Sequence, residues 1–335
     1  MMMAKKLKAA LIGFGGMGHF HAACYAKQKN VELVAVCDID KKKFEQDKEK
    51  INLGESGKTD LSRIAKYLSY EELVKNEKFD LLDICLPGYL HAEYAVRAMK
   101  DGFHVLCEKP MARTLAQADR MLRIARETNR KLMIAQCLRF APNLNQLKEL
   151  VTHKKYGKLL RLDMRRNGSL PTRKWYRDSA KSGGALLDLH LHDTDYINYL
   201  LGVPEAVQTY GIVRDTGGID DLMTAYQYKN GPVVNSEGSW CKGTWFNSII
   251  AVFQKATVEC VGYKQLKIFR PDAEVEEINF DKNLDPYFNE IAYFAECILK
   301  NREPEQCSPQ STRNSIRIAA AEERSARSKR KVRLN

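Results

Sequence analysis

The stretch LKAALIGFGGMG, Leu7 to Gly18, decides the fold. Leu7–Ile12 is a short apolar run of strand length, and from Met17 to Gln28 the apolar residues recur with helical spacing. Between them Gly13, Phe14, Gly15, Gly16, Met17 and Gly18 spell G-x-G-x-x-G. The glycine pattern alone is weak, but between a strand and a helix it predicts a dinucleotide site. Gly13 permits a tight turn, Gly15 lets the backbone approach a pyrophosphate, and Gly18 lets the helix pack close to the strand. The helix start offers unpaired N–H groups and the positive end of its dipole to phosphates. Asp38 follows the next apolar run, Val31–Cys37. A carboxylate there suits the ribose hydroxyls and repels a 2′-phosphate, so NAD is expected over NADP. Lys41, Lys42 and Lys43 could neutralise such a phosphate, but an exposed helical turn is the simpler account of them.

Working outward, Leu81–Cys85, His104–Cys107 and Lys131–Gln136 are short and mainly apolar, as strands buried on both faces of a parallel sheet should be. Helical patterns separate them at Tyr89–Lys100 and Leu115–Thr128, the latter with Thr114 as its expected N-cap. This alternation predicts an α/β Rossmann domain, a doubly wound parallel sheet, over residues 4–137. Beyond it the texture changes. A helix at Pro142–Thr152 leads to a strand at Lys158–Arg166, a glycine-bearing loop and a helix at Ala185–Leu201. Glu205 to Arg270 alternates β-branched and aromatic residues with glycine turns, and helices follow at Pro286–Lys300 and Pro309–Arg327. Residues 138–335 therefore read as an α+β domain with a large open, mostly antiparallel sheet.

The length, 335 residues, is enough for two cores. No run approaches ~18 uncharged apolar residues, so no membrane span and no membrane partner are expected. Met1 to Gly18 superficially resembles a signal peptide, but its apolar run is short and leads straight into the glycines, which suits a first strand. Nine cysteines, none in a C-x-x-C pair, read as buried free thiols of a reducing, cytoplasmic compartment. The net charge of +12 is spread among acids except between Arg324 and Arg333. With no zinc-finger or RNP pattern, it reads as a solvated basic surface and not as a nucleic-acid partner.

The segment FDLLDICLPGYLHAEYAVRAMKDGFHVLCEKPMA, Phe79 to Ala112, resembles the core of the Gfo/Idh/MocA family, with Glu108-Lys109-Pro110 as a specific marker. The likeness extends over nearly the whole chain. It includes His21 after the glycines, Arg139-Phe140, Gly157-Lys158-Leu159, the run from Ser182 to Asp188 with His192 and Asp195, Gly238-Ser239-Trp240 and Arg302-Glu303-Pro304. Members mostly oxidise or reduce a carbon of a sugar, polyol or inositol with a nicotinamide cofactor. The resemblance implies that Leu86, Pro87 and His91 line the nicotinamide side. It places Glu108 and Lys109 beside the nicotinamide ribose, and makes Lys109, Asp188 and His192 the catalytic set.

The residue types suit that chemistry. Hydride transfer from a secondary alcohol needs an acceptor for the hydroxyl proton, and the imidazole of His192 titrates near neutrality. Asp188, four residues earlier on a helix, shares its face and can orient the ring. Lys109 can stabilise developing alkoxide charge or, with a depressed pKa, serve as the base itself; the residues leave both open. His190 departs from the family, where that position is usually small, and is expected to contact substrate or cofactor. Asn167 and Trp175 join Lys109, Asp188, His190 and His192 as expected substrate contacts, Trp175 by stacking on a sugar ring. No metal is expected, since Asp188, His190 and His192 alternate along a helix and residues two apart do not face each other. The alternatives are a redox-neutral sugar-processing enzyme with tightly held NAD and a non-catalytic NAD-binding regulator. A homodimer or homotetramer is expected by the resemblance alone.

Overall fold

The structure, a computed structural model, describes residues 6–45, 50–51, 54–55, 60–281 and 285–334. Residues 4 and 335, the expected outer bounds of the two domains, lie outside the described residues. Two compact units emerge. Of the described residues, the first gathers those up to Ala112, 116–135 and 287–310; the second holds those in 113–115, 136–286 and 311–334. Among the described residues no helix is long and apolar enough to cross a membrane.

The first unit is a parallel six-stranded sheet. Its elements in chain order are β1 (Leu7–Ile12), α1 (Gly16–Tyr25), β2 (Val31–Cys37), β3 (Ala65–Tyr67), α2 (Tyr70–Asn76), β4 (Leu81–Ile84), α3 (His91–Lys100), β5 (His104–Glu108), α4 (Leu115–Glu127) and β6 (Leu132–Ala135). The strand order is β3-β2-β1-β4-β5-β6, so the connections leave β1 in opposite directions. In such sheets ligands bind at the strands' carboxyl ends where the order reverses. β4 and β6 are buried at every residue, which is why they read as apolar runs, broken only by Asp83 in β4. β3 and α2 have no such signature: β3 is a three-residue edge strand, and α2 is a short helix started by the Ser69 side chain, which accepts the Glu72 N–H. The sequence reading runs the second domain unbroken from 138 to 335, yet residues 287–310 pack on this first unit. Tyr287 stacks edge-on against Phe20 at 4.9 Å, Gln28 donates to the Phe288 carbonyl, and Lys131 pairs with Glu303.

The second unit is built on a nine-stranded sheet. Its elements are α5 (Pro142–Thr152), β7 (Leu159–Ser169), a π-helical turn at Leu186–His190, α6 (Leu191–Leu201), β8 (Ala206–Ile212), β9 (Asp221–Gln227), β10 (Val233–Ser239), β11 (Cys241–Phe253), β12 (Thr257–Val261), β13 (Gln265–Phe269) and β14 (Glu276–Asn279). The long C-terminal helix Pro309–Ser328 and strand Val332–Arg333 complete it. Neighbouring strands run antiparallel except β7 and β10, which pair in parallel with Leu162 opposite Val234. Along β9 buried residues alternate with more exposed ones, so the sheet has one covered face and one open face. On the covered side α6 is fastened by charge. Arg139 grips Asp195 with two bonds of 2.7 and 2.8 Å, and Arg166 donates twice to Asp193. Both pairs are buried.

Candidate active site

The first unit carries a cradle shaped for a pyrophosphate. After β1 the backbone turns at Gly13 with φ +91°, where a Cβ would lie 2.7 Å from the Cys85 carbonyl carbon. At Gly18 a Cβ would lie 2.2 Å from the Gly13 carbonyl oxygen, so no larger residue fits without backbone movement. α1 starts behind Gly15 with no side-chain cap and no acidic residue in its first turn. Its N-terminus therefore presents backbone donors uncontested by a carboxylate, as a bound phosphate requires. Phe14 is fully buried and anchors the loop among Leu11, Ala22 and Val36. Asp38 ties the loop down, accepting the Phe14 N–H at 2.7 Å through one oxygen and the Asp40 N–H through the other. Its remaining lone pairs can still accept from a ribose diol. These residues fit a dinucleotide, and Lys41, Lys42 and Lys43 follow in a 3₁₀ turn (Lys41–Glu45).

Beside this cradle lies a chain of buried ionisable groups. His21, on α1, sets Nδ1 2.8 Å from Asp83 of β4 and Nε2 3.2 Å from Glu108 at the end of β5. Burial opposes a charge on His21, but neighbouring Cys85 and the Asp83 carboxylate together outweigh it and the pKa is raised. In turn His21 overcomes the burial that favours neutral Glu108 and holds its carboxyl below the usual range. The second oxygen of Glu108 accepts the Lys109 N–H at 2.9 Å. Glu108 thus faces inward and shapes the turn that presents half-buried Lys109. His91 also differs from expectation. It is buried, and its two nitrogens lie 2.7 Å from the Pro110 and Leu86 carbonyl oxygens, so no ring atom is left for a ligand. Only an imidazolium could donate to both carbonyls, and burial lowers the pKa. Its part is to tie the Leu86-Pro87 loop to the Lys109-Pro110 turn. Groups with metal-like spacing, among the described residues, are His21 with Asp83 and Cys85, and His21 with Glu108 and Glu290. Neither includes a residue of the 188–195 segment. Asp83 has a signal in the sequence, an acid in an otherwise apolar buried strand.

In the second unit the chain reaches the π turn through Gly183 and Gly184, both at positive φ. A Cβ on Gly184 would lie 2.7 Å from the Ile219 carbonyl oxygen. The loop that supplies Ile219 is organised by Asp220. One of its oxygens accepts the N–H groups of Arg214, Asp215 and Thr216, and the other accepts the Thr216 hydroxyl. From Ala185 to Asn198 every residue is buried except Asp188 and His192. The fold thus leaves these two polar side chains alone half-buried in an otherwise buried segment. His190 does not join them. It is 0% exposed and meets Tyr226 and Glu322 on the inner side, which corrects its expected role as a substrate contact. Trp175 is half-buried, stacked on Tyr176 at 3.8 Å, and Tyr176 meets buried Trp240 edge-on at 5.8 Å. Asn167 is buried near the end of β7, between Ser239 and Phe246 of the neighbouring strands.

Residues 7–136 match the family described as "Oxidoreductase family, NAD-binding Rossmann fold", and residues 144–259 match the GFO/IDH/MocA C-terminal domain. The D-glucoside 3-dehydrogenase of Escherichia coli K12 is 31% identical over 75% of this chain and 75% of its own. The chain belongs to the Gfo/Idh/MocA oxidoreductases. A second relative, the myo-inositol 2-dehydrogenase of Thermotoga maritima, is 24% identical over 98% of both chains. The aldose-aldose oxidoreductase of Caulobacter crescentus shares the fold, with a TM-score of 0.85 at 23% identity, covering 98% of this chain and 100% of that one. The Gfo/Idh/MocA assignment makes the protein an oxidoreductase with an NAD-binding Rossmann domain.

Proposed function

We propose that the protein is an NAD-dependent dehydrogenase or reductase acting on a secondary CH–OH of a sugar, polyol or inositol. The observation that carries this reading is the partial exposure of Asp188 and His192 in a segment, Ala185 to Asn198, whose other members are all buried. Ordinary solvent-facing residues of a helix come as a broad stripe, not as two polar side chains of one catalytic pairing. The dehydrogenases of glucosides and inositol named above support the substrate class. NAD supplies a hydride acceptor when bound. The protein residues do the rest. His192 takes the hydroxyl proton on a ring nitrogen. Asp188, on the same face, steadies the imidazolium that results. The Lys109 ammonium donates a hydrogen bond to the reacting oxygen and stabilises its developing charge. Trp175, with Tyr176 stacked beneath it, offers an apolar face to a sugar ring, and Asn167 a polar contact.

The preference for NAD over NADP rests on Asp38, whose carboxylate sits against the glycine loop and would repel a 2′-phosphate. On the open sheet face Tyr210, Ile212, Met223 and Val233 are exposed, and the register sets Tyr210 beside Met223. That apolar face supports a homodimer or homotetramer formed across it. Nine free cysteines support a reducing cytoplasmic setting.

The test is fluorescence titration with NADH and NADPH, followed by a screen of myo-inositol, glucosides, other polyols and their keto forms for nicotinamide absorbance change. Tighter NADH binding and turnover that falls about 100-fold or more in Lys109→Met and His192→Asn is the expected result. Saturable binding with no turnover would move the reading to the redox-neutral enzyme or the regulator. Absence of binding by folded protein would overturn it.

A further inference from the structure

We infer that His190, Tyr226 and Glu322 form a buried clamp that fixes the π turn, and that His190 is thereby a positioning residue for Asp188 and His192. This rests on the assignment of Asp188 and His192 to the chemical step.

The clamp joins three elements distant in sequence. His190 Nε2 lies 3.2 Å from the Tyr226 hydroxyl on β9, and that hydroxyl donates to Glu322 Oε1 on the C-terminal helix at 2.5 Å. Thr194, one turn after His190, donates to the same carboxylate at 3.2 Å. One proton arrangement satisfies the line: His190 Nε2–H to Tyr226 Oη, then Tyr226 O–H to the carboxylate. His190, Thr194 and Glu322 are 0% exposed and Tyr226 is buried, so no substrate reaches them.

The seat of the ring is equally specific. A Cβ on Gly238 would lie 2.7 Å from both Cβ and Nδ1 of His190, so β10 carries glycine where the imidazole fits. Nδ1 of that ring is buried with no hydrogen-bond partner among the described residues. An apolar side chain of similar size would fill the space without that unsatisfied nitrogen, and a fully apolar core is the more stable choice. Stability alone therefore does not account for the histidine. Position does. A π turn takes an extra residue per turn, is rarely stable by itself and recurs at functional sites. A straight α-helix through Leu186–His190 would keep Asp188 on the same side as His192 but turn it by a fraction of a residue step, because each residue of a π turn advances less about the axis. The side chain that can pin the wider turn is the one between them, pointing inward while its neighbours two residues away on either side point out.

The test compares Tyr226→Phe, Gly238→Ala and Glu322→Gln with Asp188→Asn and His192→Asn. For each variant, thermal melting, NADH affinity and kcat on the polyol or sugar turned over in the screen are measured. The ¹⁵N-imidazole NMR titration of His192 is followed as well, and it needs no turnover. Asp188→Asn and His192→Asn are expected to lose activity. Tyr226→Phe and Gly238→Ala should lower kcat about tenfold or more, with NADH affinity unchanged and the His192 titration displaced. Glu322→Gln, whose amide oxygen still accepts both hydroxyls, should keep kcat and the wild-type titration. If Tyr226→Phe and Gly238→Ala leave kcat and the His192 titration as in wild type while Asp188→Asn and His192→Asn are inactive, the clamp is refuted and the site stands. If Asp188→Asn and His192→Asn retain activity, the site assignment fails and the clamp falls with it. If Glu322→Gln loses kcat in step with its melting temperature, the network is structural only and the inference is overturned. Should Tyr226→Phe fail to fold, Gly238→Ala and Glu322→Gln carry the decision by the same criteria.

Discussion

The loop from Gly13 to Gly18 and the segment from Ser182 to His192 both turn the chain on glycines, yet they are held in opposite ways. The first is fixed by backbone against backbone. Gly13 presses on the Cys85 carbonyl, Gly18 on the Gly13 carbonyl, and the Gly13 N–H donates to the Cys37 carbonyl. The second is fixed by side chains, Ser182 on its own turn and others delivered from afar: Arg166 on Asp193, and Tyr226 and Glu322 on His190. A loop held by backbone contact fails when any side chain is added. A segment held by side chains fails when a particular one is removed.

The sharpest way to break the first region is Gly18→Val. Its Cβ would overlap the Gly13 carbonyl, a backbone atom that cannot swing aside. Overpacking of this kind costs typically 1–3 kcal/mol and here more, because α1 must lift from β1. NADH titration should show binding lost while the second unit's near-ultraviolet signal persists. Retained affinity would show that the loop has slack that the contacts deny.

The matching break in the second region is Asp195→Ala. It strands the Arg139 guanidinium, 1% exposed, without the carboxylate that takes two of its hydrogen bonds. Removing one partner of a buried pair costs about 3–5 kcal/mol. Urea unfolding followed at the tryptophans, all of which lie in the second unit, should report the loss, with NADH affinity unchanged. A midpoint equal to wild type would mean that water reaches Arg139.

This difference in construction also explains what was legible in the sequence. Backbone-held structure is written locally. β1 and β2 match the expected Leu7–Ile12 and Val31–Cys37 to the residue, and the helix at Pro142–Thr152 matches likewise. Asp188 and His192 could be singled out because their spacing and family pattern are local too. His190 was misplaced because its partner Tyr226 is 36 residues away, and Tyr226 in turn reaches Glu322 across another 96. His91 was misplaced because its carbonyl partner at Pro110 lies 19 residues on and leaves no mark on side-chain pattern. The return of residues 287–310 to the first unit depends on contacts such as Tyr287 with Phe20, which no periodicity announces.

A smaller effect sharpens the comparison at its one exception. Asp38 is a side chain that holds the backbone-built loop, through the Phe14 N–H. Hydrogen bonds to charged groups contribute about 1.5–3 kcal/mol, so Asp38→Ala should weaken NADH binding by roughly that amount. It also removes the charge that repels a 2′-phosphate, so NADPH affinity should rise relative to NADH. An unchanged ratio would mean that Lys41–Lys43, and not Asp38, govern the choice of cofactor.

The mildest probe is pH, acting on Asp220 beneath the Gly183–Gly184 turn. Burial favours its neutral form, but the Thr216 hydroxyl and the backbone N–H groups of Asp215, Thr216 and Arg214 outweigh it and lower its pKa. A carboxyl whose folded pKa lies below its unfolded value, about 3.9, stabilises the fold above that value. That contribution is lost as pH falls through the folded pKa, because protonation then costs the folded state its acceptor. Asp220→Asn should therefore be less stable than wild type at neutral pH, with the two urea midpoints converging as the pH drops below about 4. A gap that stays constant down to pH about 3 would show that Asp220 acts through shape alone and not through its charge. The loop at Ile219 would then be held, like the glycine cradle, by backbone fit.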